Sequence, residues 1–453
     1  MDDLLKKTPY APSVTEVSLV TLLPRLALFR RGRFSPMLRL TETAGSMIRV
    51  RAGRRHVWIA NHPAVAEDIL VRKHAAFRKD QLMKFLRRLL GEGLITSEGE
   101  HHDRQRKMIQ PMFRQDVLKQ RLPAIVRALD RTTRPWNNGM PVDMQAAMFE
   151  LTGRFIGESL FSAGDYREIE ELAACFESLL HFNKRYAILP LGLLLDRLPL
   201  PGTRRYNRAM QHLNRFANDR ITHRTASDNR PPDWLTTLIE ARDDTGCPMP
   251  RQQVRDEFLT LFLAGYETTA TALSWSWHLL AQHPPIQERV AQEAGAVLGE
   301  RTPAAADLPA LETARNVFAE AMRLYPPSYV FGREALQDVE AAGHAMRKGD
   351  VLFLSPFLIQ RNPRFFEEPQ HFNPDRWQKL PTTRAVRIGY FPFGAGRRVC
   401  LGEPLAWMEG TLTLALICRD WRIHAAPHTH VRPAIRVGIH PHPGVPAVLE
   451  RRG

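Results

Sequence analysis

The chain has 453 residues, of which 44% are hydrophobic and 25% charged, close to the averages of globular proteins. This composition excludes a disordered chain, a collagen-like repeat and a disulfide scaffold. Lysine and arginine total 63 against 48 acidic residues, and the net charge of +15 favours acidic partners such as nucleic acid, an anionic membrane surface or an acidic protein.

The cysteine content is low, and no two cysteines form a Cys-x-x-Cys pair. Four cysteines are too few for a disulfide framework, which is typical of a reducing compartment with at most one functional thiolate. The four are Cys175, Cys247, Cys400 and Cys418. We assign Cys175, Cys247 and Cys418 to the default class of buried, inert cysteines.

The first apolar segment spans residues 14–29 and is interrupted by Pro24 and Arg25. It is too short and broken for a membrane span, and it lacks the cleavage site of a signal peptide. We expect a helix packed on the body, within an N-terminal segment of residues 1–44 that precedes a main domain of residues 45–453. The alternative is an anchor in a membrane interface, which three arginines would assist: Arg30, Arg31 and Arg33.

The next segments combine one hairpin with long helical patterns. Residues 48–60 alternate apolar and basic side chains around Gly53, which predicts a β-hairpin. Residues 166–182 carry a helical stripe, and an arginine-rich helix is predicted over residues 203–224. Between these helices, residues 187–201 are rich in proline and leucine, and we interpret them as a lid that could touch a membrane.

Residues 256–283 form the longest apolar segment and would span about 40 Å as a helix. We expect a buried central helix, with a membrane span as the alternative. The Gly-Tyr-Glu-Thr-Thr sequence of residues 265–269 argues against the span, because a carboxylate is costly in lipid. Proline and β-branched residues after residue 419 predict short strands. The predicted fold class is therefore mainly α with a minor β part, in a single domain.

Residues 391–402, FPFGAGRRVCLG, form a glycine-rich loop around one cysteine. Its fixed positions spell F-G-x-G-x-R-x-C-x-G: Phe393, Gly394, Gly396, Arg398, Cys400 and Gly402. Such a string recurs by chance in roughly one chain in 10⁵. A thiolate here can serve as the axial ligand of a haem iron, while glycines permit close approach to the macrocycle and Arg398 can pair with a propionate. A helix predicted over residues 401–418 would direct its N-terminus at the sulfur and favour the anion.

The loop resembles the signature of the cytochrome P450 family, the haem-thiolate monooxygenases, and further motifs follow in the family's order over roughly residues 45–450. The resemblance implies a single-domain P450 fold, with haem b between a long central helix and the cysteine loop with its following helix. It makes Cys400 the axial iron ligand. It also assigns four residues of the loop to cofactor binding: Phe393, Gly394, Arg398 and Gly402.

The central segment contains the sequence Ala264-Gly265-Tyr266-Glu267-Thr268-Thr269. Gly265 weakens a helix and Thr268 can bond back to a carbonyl, so we predict a kink and a groove for O₂ that Ala264 and Gly265 shape. By the resemblance, Glu267 and Thr268 relay protons, since general acid catalysis needs such a positioned donor chain. A buried polar patch packed between helices is the alternative.

Glu320 and Arg323 lie three residues apart, which places them on one helix face. Such a spacing alone is a weak signal, because most pairs of this kind are surface ion pairs. Arg376 follows later in the sequence Phe-Asn-Pro-Asp-Arg-Trp. In the resembling family the three residues lock together behind the haem, so we assign them structural roles.

Three further residues are assigned to the haem propionates by the resemblance. The family usually has Trp or His followed, after three residues, by Arg, and His102 and Arg106 match this pattern. The alternative is that both residues lie on a basic surface helix. Arg333 falls where the family has another propionate-binding residue on a strand. Gln360 stands where the family often has histidine, and because glutamine still forms hydrogen bonds we expect little functional change.

The resemblance implies insertion of one O₂ oxygen into a C–H or C=C bond, with two electrons from NAD(P)H. The sequence has no G-x-G-x-x-G on a βαβ unit and no Fe–S cysteine spacing, so we expect a separate acidic ferredoxin or flavodoxin with its reductase. A basic docking face would attract this carrier, with a scattered solvated surface as the alternative. Its residues would be Lys84, Arg87, Arg88, Arg104, Arg106, Lys107, Arg114 and Arg397. No nucleic-acid partner is expected, because no nucleic-acid motif is present.

A hydrophobic small molecule is the expected substrate, because the candidate pocket walls are apolar or neutral. The walls are Leu82, Met83, Phe85, Phe262, Leu263, Ser328, Tyr329, Val330 and Phe331. We favour a terpenoid because the chain resembles stand-alone bacterial members; the alternative is a fatty acid whose carboxylate Arg78 and Lys79 would hold. An O₂-independent haem-thiolate isomerase or dehydratase and a non-enzymatic haem sensor are the other classes. The expected location is the cytoplasm, with peripheral membrane contact as the alternative.

Overall fold

The computed structural model describes residues 10–53, 55–80, 83–186, 201–379 and 389–453. Its helices are α1 Leu19–Arg30, α2 Ser35–Thr43, α3 Pro63–Glu67, α4 Met83–Leu90, α5 Gly99–Ile109, α6 Gln115–Lys119, α7 Leu122–Thr133, α8 Met144–Phe161, α9 Tyr166–Tyr186, α10 Pro201–Ala226, α11 Trp234–Glu240, α12 Arg251–Gln282, α13 Pro284–Leu298, α14 Glu312–Leu324, α15 Pro356–Ile359, α16 Arg376–Lys379 and α17 Glu403–Asp420. Its strands are β1 Val14–Val17, β2 Met47–Ala52, β3 Arg55–Ala60, β4 Phe77–Lys79, β5 Pro141–Asp143, β6 Phe331–Ala335, β7 Val339–Ala341, β8 His344–Met346, β9 Val351–Leu354, β10 Trp421–Ala425, β11 Arg432–Ile435, β12 Ile439–His442 and β13 Pro446–Arg451.

The chain divides into two units. The first, called the sheet unit here, consists of Met1–Asp80, Trp136–Met148 and Thr271–Gly453 and contains the named strands. The second, called the helical unit, consists of Gln81–Pro135 and Phe149–Ala270. The expected predominance of helices with a minor β part is confirmed.

A six-stranded sheet in the order β1-β2-β3-β9-β6-β4 organises the sheet unit. The predicted hairpin is present as β2 and β3, which pair antiparallel with Arg51 opposite His56. Its turn contains Gly53 at φ +64°, a left-handed conformation that glycine adopts without steric cost. One face of the sheet packs into a core that includes Trp58, Leu352 and Phe391, so the residues that lead to Cys400 lie against this sheet.

The N-terminal segment is only partly the helix that its apolar pattern predicts. Val14–Val17 is a strand, parallel to β2, and the helix α1 begins after it. Two β-branched valines favour the strand, and Ser18 starts the helix because its side chain accepts a hydrogen bond from the Thr21 amide. The proposed boundary between residues 44 and 45 stays a prediction.

The C-terminal strands agree with the sequence pattern. β10 pairs antiparallel with β13, which also pairs with β5, and β11 and β12 form a two-stranded ribbon. They follow α17, the helix predicted after the cysteine loop.

The predicted central helix is α12, a continuous helix of 32 residues that at 1.5 Å per residue is about 48 Å long. Up to Ala270 its residues belong to the helical unit, and from Thr271 they belong to the sheet unit. Within the described ranges, no helix is long and apolar enough to cross a bilayer. The predicted stripe of residues 166–182 lies on α9, which packs against α10. The proposed lid, residues 187–201, lies outside the described residues except for Pro201.

Candidate active site

The cysteine loop is held by its own backbone. The Cys400 amide donates to the Phe393 carbonyl at 3.0 Å, and the Gly394 amide donates to the Phe391 carbonyl at 3.0 Å. Gly394 and Gly396 have φ values of +73° and +67°, which disfavour any residue with a side chain. A Cβ at Gly396 would also lie 2.1 Å from the Leu70 carbonyl oxygen, so this glycine is required by close packing.

Cys400 and Cys418 occupy opposite environments. The Cys400 side chain is exposed, whereas Cys418 is buried and burial raises its pKa to about 12. A thiol becomes a metal ligand as its thiolate, so Cys418 is unsuited to that role. Cys175 is half-buried and Cys247 is exposed, so the expectation of three buried cysteines is wrong for Cys247, which lies in a surface turn stabilised by Asp243.

Helix α17 begins three residues after the thiol, with Gly402 as its N-cap. The partial positive charge of a helix N-terminus favours a nearby anion. Phe393 packs on Trp407 in the first turns of α17 at a ring distance of 5.7 Å, and Trp407 packs on Phe318 of α14 at 5.7 Å. This aromatic row fixes the start of the loop against two helices.

The central-helix motif lies in the helical unit. The Thr268 hydroxyl donates to the Ala264 carbonyl at 2.7 Å, the back-bond that the sequence predicts and that bends helices slightly. Thr268 is exposed, whereas Thr269 and Ala270 are buried, and Glu267 is half-buried. The hydroxyl and the carboxylate are therefore adjacent in the chain and reachable by a ligand or by water.

Gly265 has a packing role that the sequence does not reveal. A Cβ at this position would lie 2.6 Å from the Ile156 Cδ1 atom of α8, so only glycine allows this approach of the two helices. The next residue, Tyr266, is fixed on both sides: its carbonyl accepts a hydrogen bond from the Thr152 hydroxyl at 3.0 Å, and its ring stacks on Phe262 at 5.6 Å.

A buried ionic cluster surrounds Glu320 in the sheet unit. The carboxylate accepts hydrogen bonds from Arg323 at 2.8 and 2.9 Å, from Arg376 at 3.0 Å and from the Trp377 indole at 3.0 Å. The Asn373 amide completes the set at 3.0 Å. Glu320 and Arg323 are both 0% exposed. The structure thus brings together the three residues that the sequence assigns to a structural cluster.

Gln360 joins this cluster to the cysteine loop. Its side-chain amide donates to the carbonyls of Met322 and Arg323 at 3.1 and 3.0 Å, and its side-chain oxygen accepts from the Phe391 amide at 3.1 Å. The residue that departs from the family pattern is thus one of the ties between α14 and the loop. Sequence reasoning identified its hydrogen-bonding capacity but not this connection.

The candidates for propionate binding come from both units. In the helical unit, His102 and Arg106 are one turn apart on α5; His102 is 2% exposed and its Nδ1 lies 3.3 Å from an Asp103 oxygen. In the sheet unit, Arg398 lies two residues before Cys400 and Arg333 lies on β6. Arg333 shares a strand face with Phe331, whose ring is 4.0 Å from the position of a Cβ at Gly394, so it faces the cysteine-loop side of the sheet.

Lys79 and Arg78, which the sequence groups together, point to opposite faces of β4. Arg78 forms an ion pair with Glu334 at 2.9 Å. Lys79 lies directly opposite Arg333, so two cations are neighbours on the face that carries Phe331. Two neighbouring cations are suited to binding an anion, and the carboxylates of a haem are anions of this kind. An exposed thiol at a helix N-terminus and these cations together fit a haem.

Four of the eight residues of the predicted basic docking face pair with carboxylates of the helical unit. Arg104 bonds to Asp243 at 2.7 Å and Lys107 to Asp244 at 2.8 Å. Two further pairs join Arg114 to Asp116 and Arg87 to Glu92, each at 3.1 Å. The side chain of Lys84 is not among those that the structure describes. These pairs reduce the net positive field that an acidic carrier would meet.

The proposed pocket walls divide into core and accessible residues. Phe262 is 0% exposed and stacks between Phe176 and Tyr266, so it belongs to the core of the helical unit rather than to a pocket. Tyr329 packs in the cluster around Phe29, and Leu82 lies outside the described residues. The remaining walls range from buried to exposed: Met83, Phe85, Leu263, Ser328, Val330 and Phe331.

Comparisons with known proteins agree over nearly the whole chain. The family model "Cytochrome P450" matches residues 12–444. Cyclooctatin synthase and cyclooctat-9-en-7-ol 5-monooxygenase, both of Streptomyces melanosporofaciens, are 34% and 33% identical to it, over 87% and 93% of this chain and 86% and 91% of theirs. Pentalenene oxygenase of Streptomyces avermitilis is 30% identical over 88% of each chain. The chain therefore belongs to the cytochrome P450 family and is a monooxygenase of that family, whose haem iron carries an axial cysteine thiolate.

Proposed function

We propose that this P450 inserts one oxygen atom of O₂ into a terpenoid hydrocarbon or a lightly oxidised terpenoid. The observation that carries the proposal is the set of relatives just described, whose names concern cyclooctatin, cyclooctat-9-en-7-ol and pentalenene. Their identity of 30% to 34% extends over most of both chains, so the likeness covers the entire enzyme rather than its signature loops alone.

The pairing of Arg78 supports a neutral substrate over a fatty acid. A carboxylate clamp made of Arg78 and Lys79 would need both cations on one side, but alternation along β4 directs them to opposite faces. Arg78 is also paired with Glu334, which is 4% exposed, so releasing it would leave a buried carboxylate without its cation. The fatty-acid alternative is therefore the weaker one.

In the proposed mechanism Cys400 would hold the haem iron as a thiolate, an anion that the N-terminus of α17 favours. When bound, the haem supplies the activation of O₂ and the transfer of one oxygen atom to the substrate. Arg398, Arg333 and Lys79 of the sheet unit would hold propionate carboxylates. The family pattern gives His102 and Arg106 the same proposed role.

The proton path runs through Glu267 and Thr268. Because the Thr268 hydroxyl donates its own proton to the Ala264 carbonyl, its oxygen is presented as an acceptor to a proton-bearing water or ligand on the exposed side of the helix. Thr268 thereby positions this proton-bearing water or ligand, and Glu267 can resupply the proton that the water gives up. Ala264 leaves space beside this hydroxyl because its side chain is a single methyl group, whereas the space beside Gly265 is occupied by Ile156.

Two electrons come from NAD(P)H through a separate acidic ferredoxin or flavodoxin with its reductase, in the cytoplasm. The absence of Fe–S cysteine spacing and of a dinucleotide-binding motif in the sequence supports a separate carrier. The four ion pairs on the basic face leave a weaker attraction for that carrier than the sequence suggests.

Titrating the ferric holoenzyme with candidate substrates tests the substrate class. We expect cyclic terpene hydrocarbons and terpene alcohols to shift the haem spectrum from low to high spin, because an apolar ligand that fits the proposed substrate site displaces water from it. Long-chain fatty acids should leave the spectrum unchanged. A shift with fatty acids that their methyl esters do not reproduce would overturn the proposal and would make Lys79 the suspected carboxylate partner.

Replacing Thr268 by alanine tests the proton path. The variant keeps the helix, since alanine favours helices more than threonine does, but it lacks the hydroxyl. We expect the product formed per O₂ consumed to fall by about 10²-fold, with the lost oxygen recovered as hydrogen peroxide. The measurements are the amount of product formed per NAD(P)H consumed and the amount of product formed per hydrogen peroxide released.

Thr268→Ser is the matched control, because serine restores the hydroxyl and should restore most of the coupling. A haem-thiolate isomerase, a dehydratase or a haem sensor would show no such dependence on the hydroxyl. Equal coupling in the alanine variant and the wild type would therefore contradict the monooxygenase proton path.

A further inference from the structure

Helix α1 (Leu19–Arg30) has a continuous apolar face that points to solvent. Leu19, Val20, Leu23, Pro24 and Ala27 follow the spacing that places residues on one side of a helix, and all five are exposed. Val20 is 82% exposed and Leu23 is 57% exposed, the two largest values among the exposed large hydrophobic residues of the described chain. Single exposed apolar residues are ordinary, but a contiguous stripe of this kind marks an interaction site.

The opposite face of the same helix is also apolar. Leu22 and Phe29 are 3% and 8% exposed and pack in the core cluster that contains Phe34 and Phe357. Packing of this inner face in the core is sufficient to hold the helix in place. Among the described core clusters, none includes a residue of the outer face. α1 therefore has two apolar faces, with Thr21 and Arg25 between them, and the core covers only one of these faces.

Basic side chains continue the outer face at its C-terminal end. Successive residues turn by 100°, so Arg30 and Arg31 project on the same side as Leu23 and Ala27. Arg33 follows two residues later, and all three arginines are exposed. No salt bridge within the described ranges pairs them with a carboxylate.

An open groove of about 590 Å³ adjoins the other end of the helix. Leu19, Arg51 and Glu16 are among its lining residues; Arg51 is exposed, and the Glu16 carboxylate pairs with Arg49. The apolar stripe thus has cationic side chains beyond both of its ends. This arrangement matches a lipid surface, whose acyl region receives apolar side chains while anionic headgroups pair with arginines around them.

We propose that the outer face of α1 is a docking surface for an anionic membrane, on which the enzyme lies peripherally. Leu19, Val20 and Leu23 enter the boundary between headgroups and acyl chains, and Arg30, Arg31 and Arg33 pair with lipid phosphates. The helix of 12 residues is about 18 Å long, which suits a helix parallel to the surface. This inference goes beyond the proposed reaction and does not depend on which substrate the enzyme oxidises.

Cosedimentation of the purified holoenzyme with extruded vesicles tests the surface. We expect binding to vesicles of phosphatidylcholine with phosphatidylglycerol at ~0.05 M NaCl, and at least tenfold weaker binding at ~0.5 M NaCl, where the Debye length falls to roughly 4 Å. Vesicles of phosphatidylcholine alone should bind the enzyme about tenfold less tightly. No binding to the anionic vesicles at low salt would overturn the proposal.

Substitutions separate the apolar contribution from the charge. The double variant Val20→Gln with Leu23→Gln should weaken vesicle binding by about tenfold or more, since two apolar side chains no longer enter the lipid. The control variant, Leu336→Gln with Val437→Gln, changes two other exposed apolar residues of the sheet unit, which are 41% and 44% exposed, and should bind as the wild type does. Loss of binding in both variants, or in neither, would contradict a site on α1.

A second pair of variants tests the arginines. Arg30→Gln with Arg31→Gln should reduce both the affinity for anionic vesicles and the salt dependence of that affinity. The control variant, Lys119→Gln with Arg131→Gln, changes two exposed cations that do not belong to the docking surface, and it should leave the affinity and its salt dependence unchanged. Sedimentation velocity without lipid tests the alternative that the outer face of α1 binds a second copy of the chain. Dimerisation by the wild type that the Val20→Gln, Leu23→Gln variant abolishes would overturn the membrane proposal.

Discussion

Replacing Cys400 by serine is expected to abolish the thiolate-type absorption band of the reduced, carbon monoxide-bound enzyme and to reduce turnover below detection. Serine keeps the size of the side chain, so the hydrogen bond from residue 400 to the Phe393 carbonyl and the course of the loop should persist. The hydroxyl does not ionise as a thiol does, and the electron density that a thiolate lends to the iron is lost. Absorption spectra of the purified variant, taken together with its haem content, measure the effect.

Cys247→Ser is the matched control, because Cys247 is the other exposed cysteine of the described chain. Its spectrum and turnover should equal those of the wild type. If the Cys400→Ser variant kept the thiolate band, the ligand would be another cysteine. Cys418 is the least suitable, since burial raises its pKa to about 12 and holds the thiol protonated.

The sequence is sufficient to predict the cysteine loop and the Glu320 cluster because their chemistry is local. Glycines at positions 394 and 396 are required by backbone angles and close packing within the loop, and those requirements leave a fixed string of residues. The spacing of Glu320 and Arg323 likewise follows from the helical repeat. The central helix is predictable for the same reason: an apolar segment of that length has few other structures available to it.

The features that sequence reasoning missed depend on partners distant in the chain. Gly265 is explained by Ile156, more than a hundred residues earlier, and no local pattern signals that approach. Arg78 and Lys79 appear equivalent in sequence. The register of β4 on β6 places Arg78 opposite Glu334, with which it pairs, and places Lys79 opposite Arg333 on the other face. The carboxylates that pair with Arg104 and Lys107 of the basic face, Asp243 and Asp244, also come from a remote turn.

The N-terminal segment shows a third reason why the structure could not be predicted fully from the sequence. Its apolar pattern predicts a helix from residue 14, and the strand Val14–Val17 forms because β2 offers a sheet edge that the sequence does not reveal. The helix that follows is apolar on both faces, so the pattern alone cannot tell which face is buried. Only the exposure of Val20 and Leu23 beside the burial of Leu22 and Phe29 separates the docking surface from the core.

Replacing Glu320 by glutamine is expected to lower the free energy of unfolding by about 3–5 kcal/mol and to prevent most of the protein from accumulating with haem. The carboxylate is 0% exposed and is the common acceptor for Arg323, Arg376 and the Trp377 indole. Glutamine has one oxygen and brings two amide hydrogens, so one of the donors now faces another donor. The two guanidinium groups also lose their neutralising charge in a site that Arg323 cannot leave for water, since it is itself 0% exposed.

Denaturant unfolding of the purified variant and its haem-to-protein ratio measure this effect. Asp375→Asn is the matched control: it also removes one carboxylate charge from an arginine pair, but the pair with Arg289 is exposed, with side chains 42% and 47% accessible. Exposed pairs of this kind contribute little, so the control should change stability by less than about 1 kcal/mol and should retain haem. Glu320→Asp tests the geometry separately, because it keeps the charge and shortens the reach. Equal stability of the Glu320→Gln and Asp375→Asn variants would show that burial adds nothing to this cluster, and it would remove Glu320 from the framework that holds the cysteine loop through Gln360.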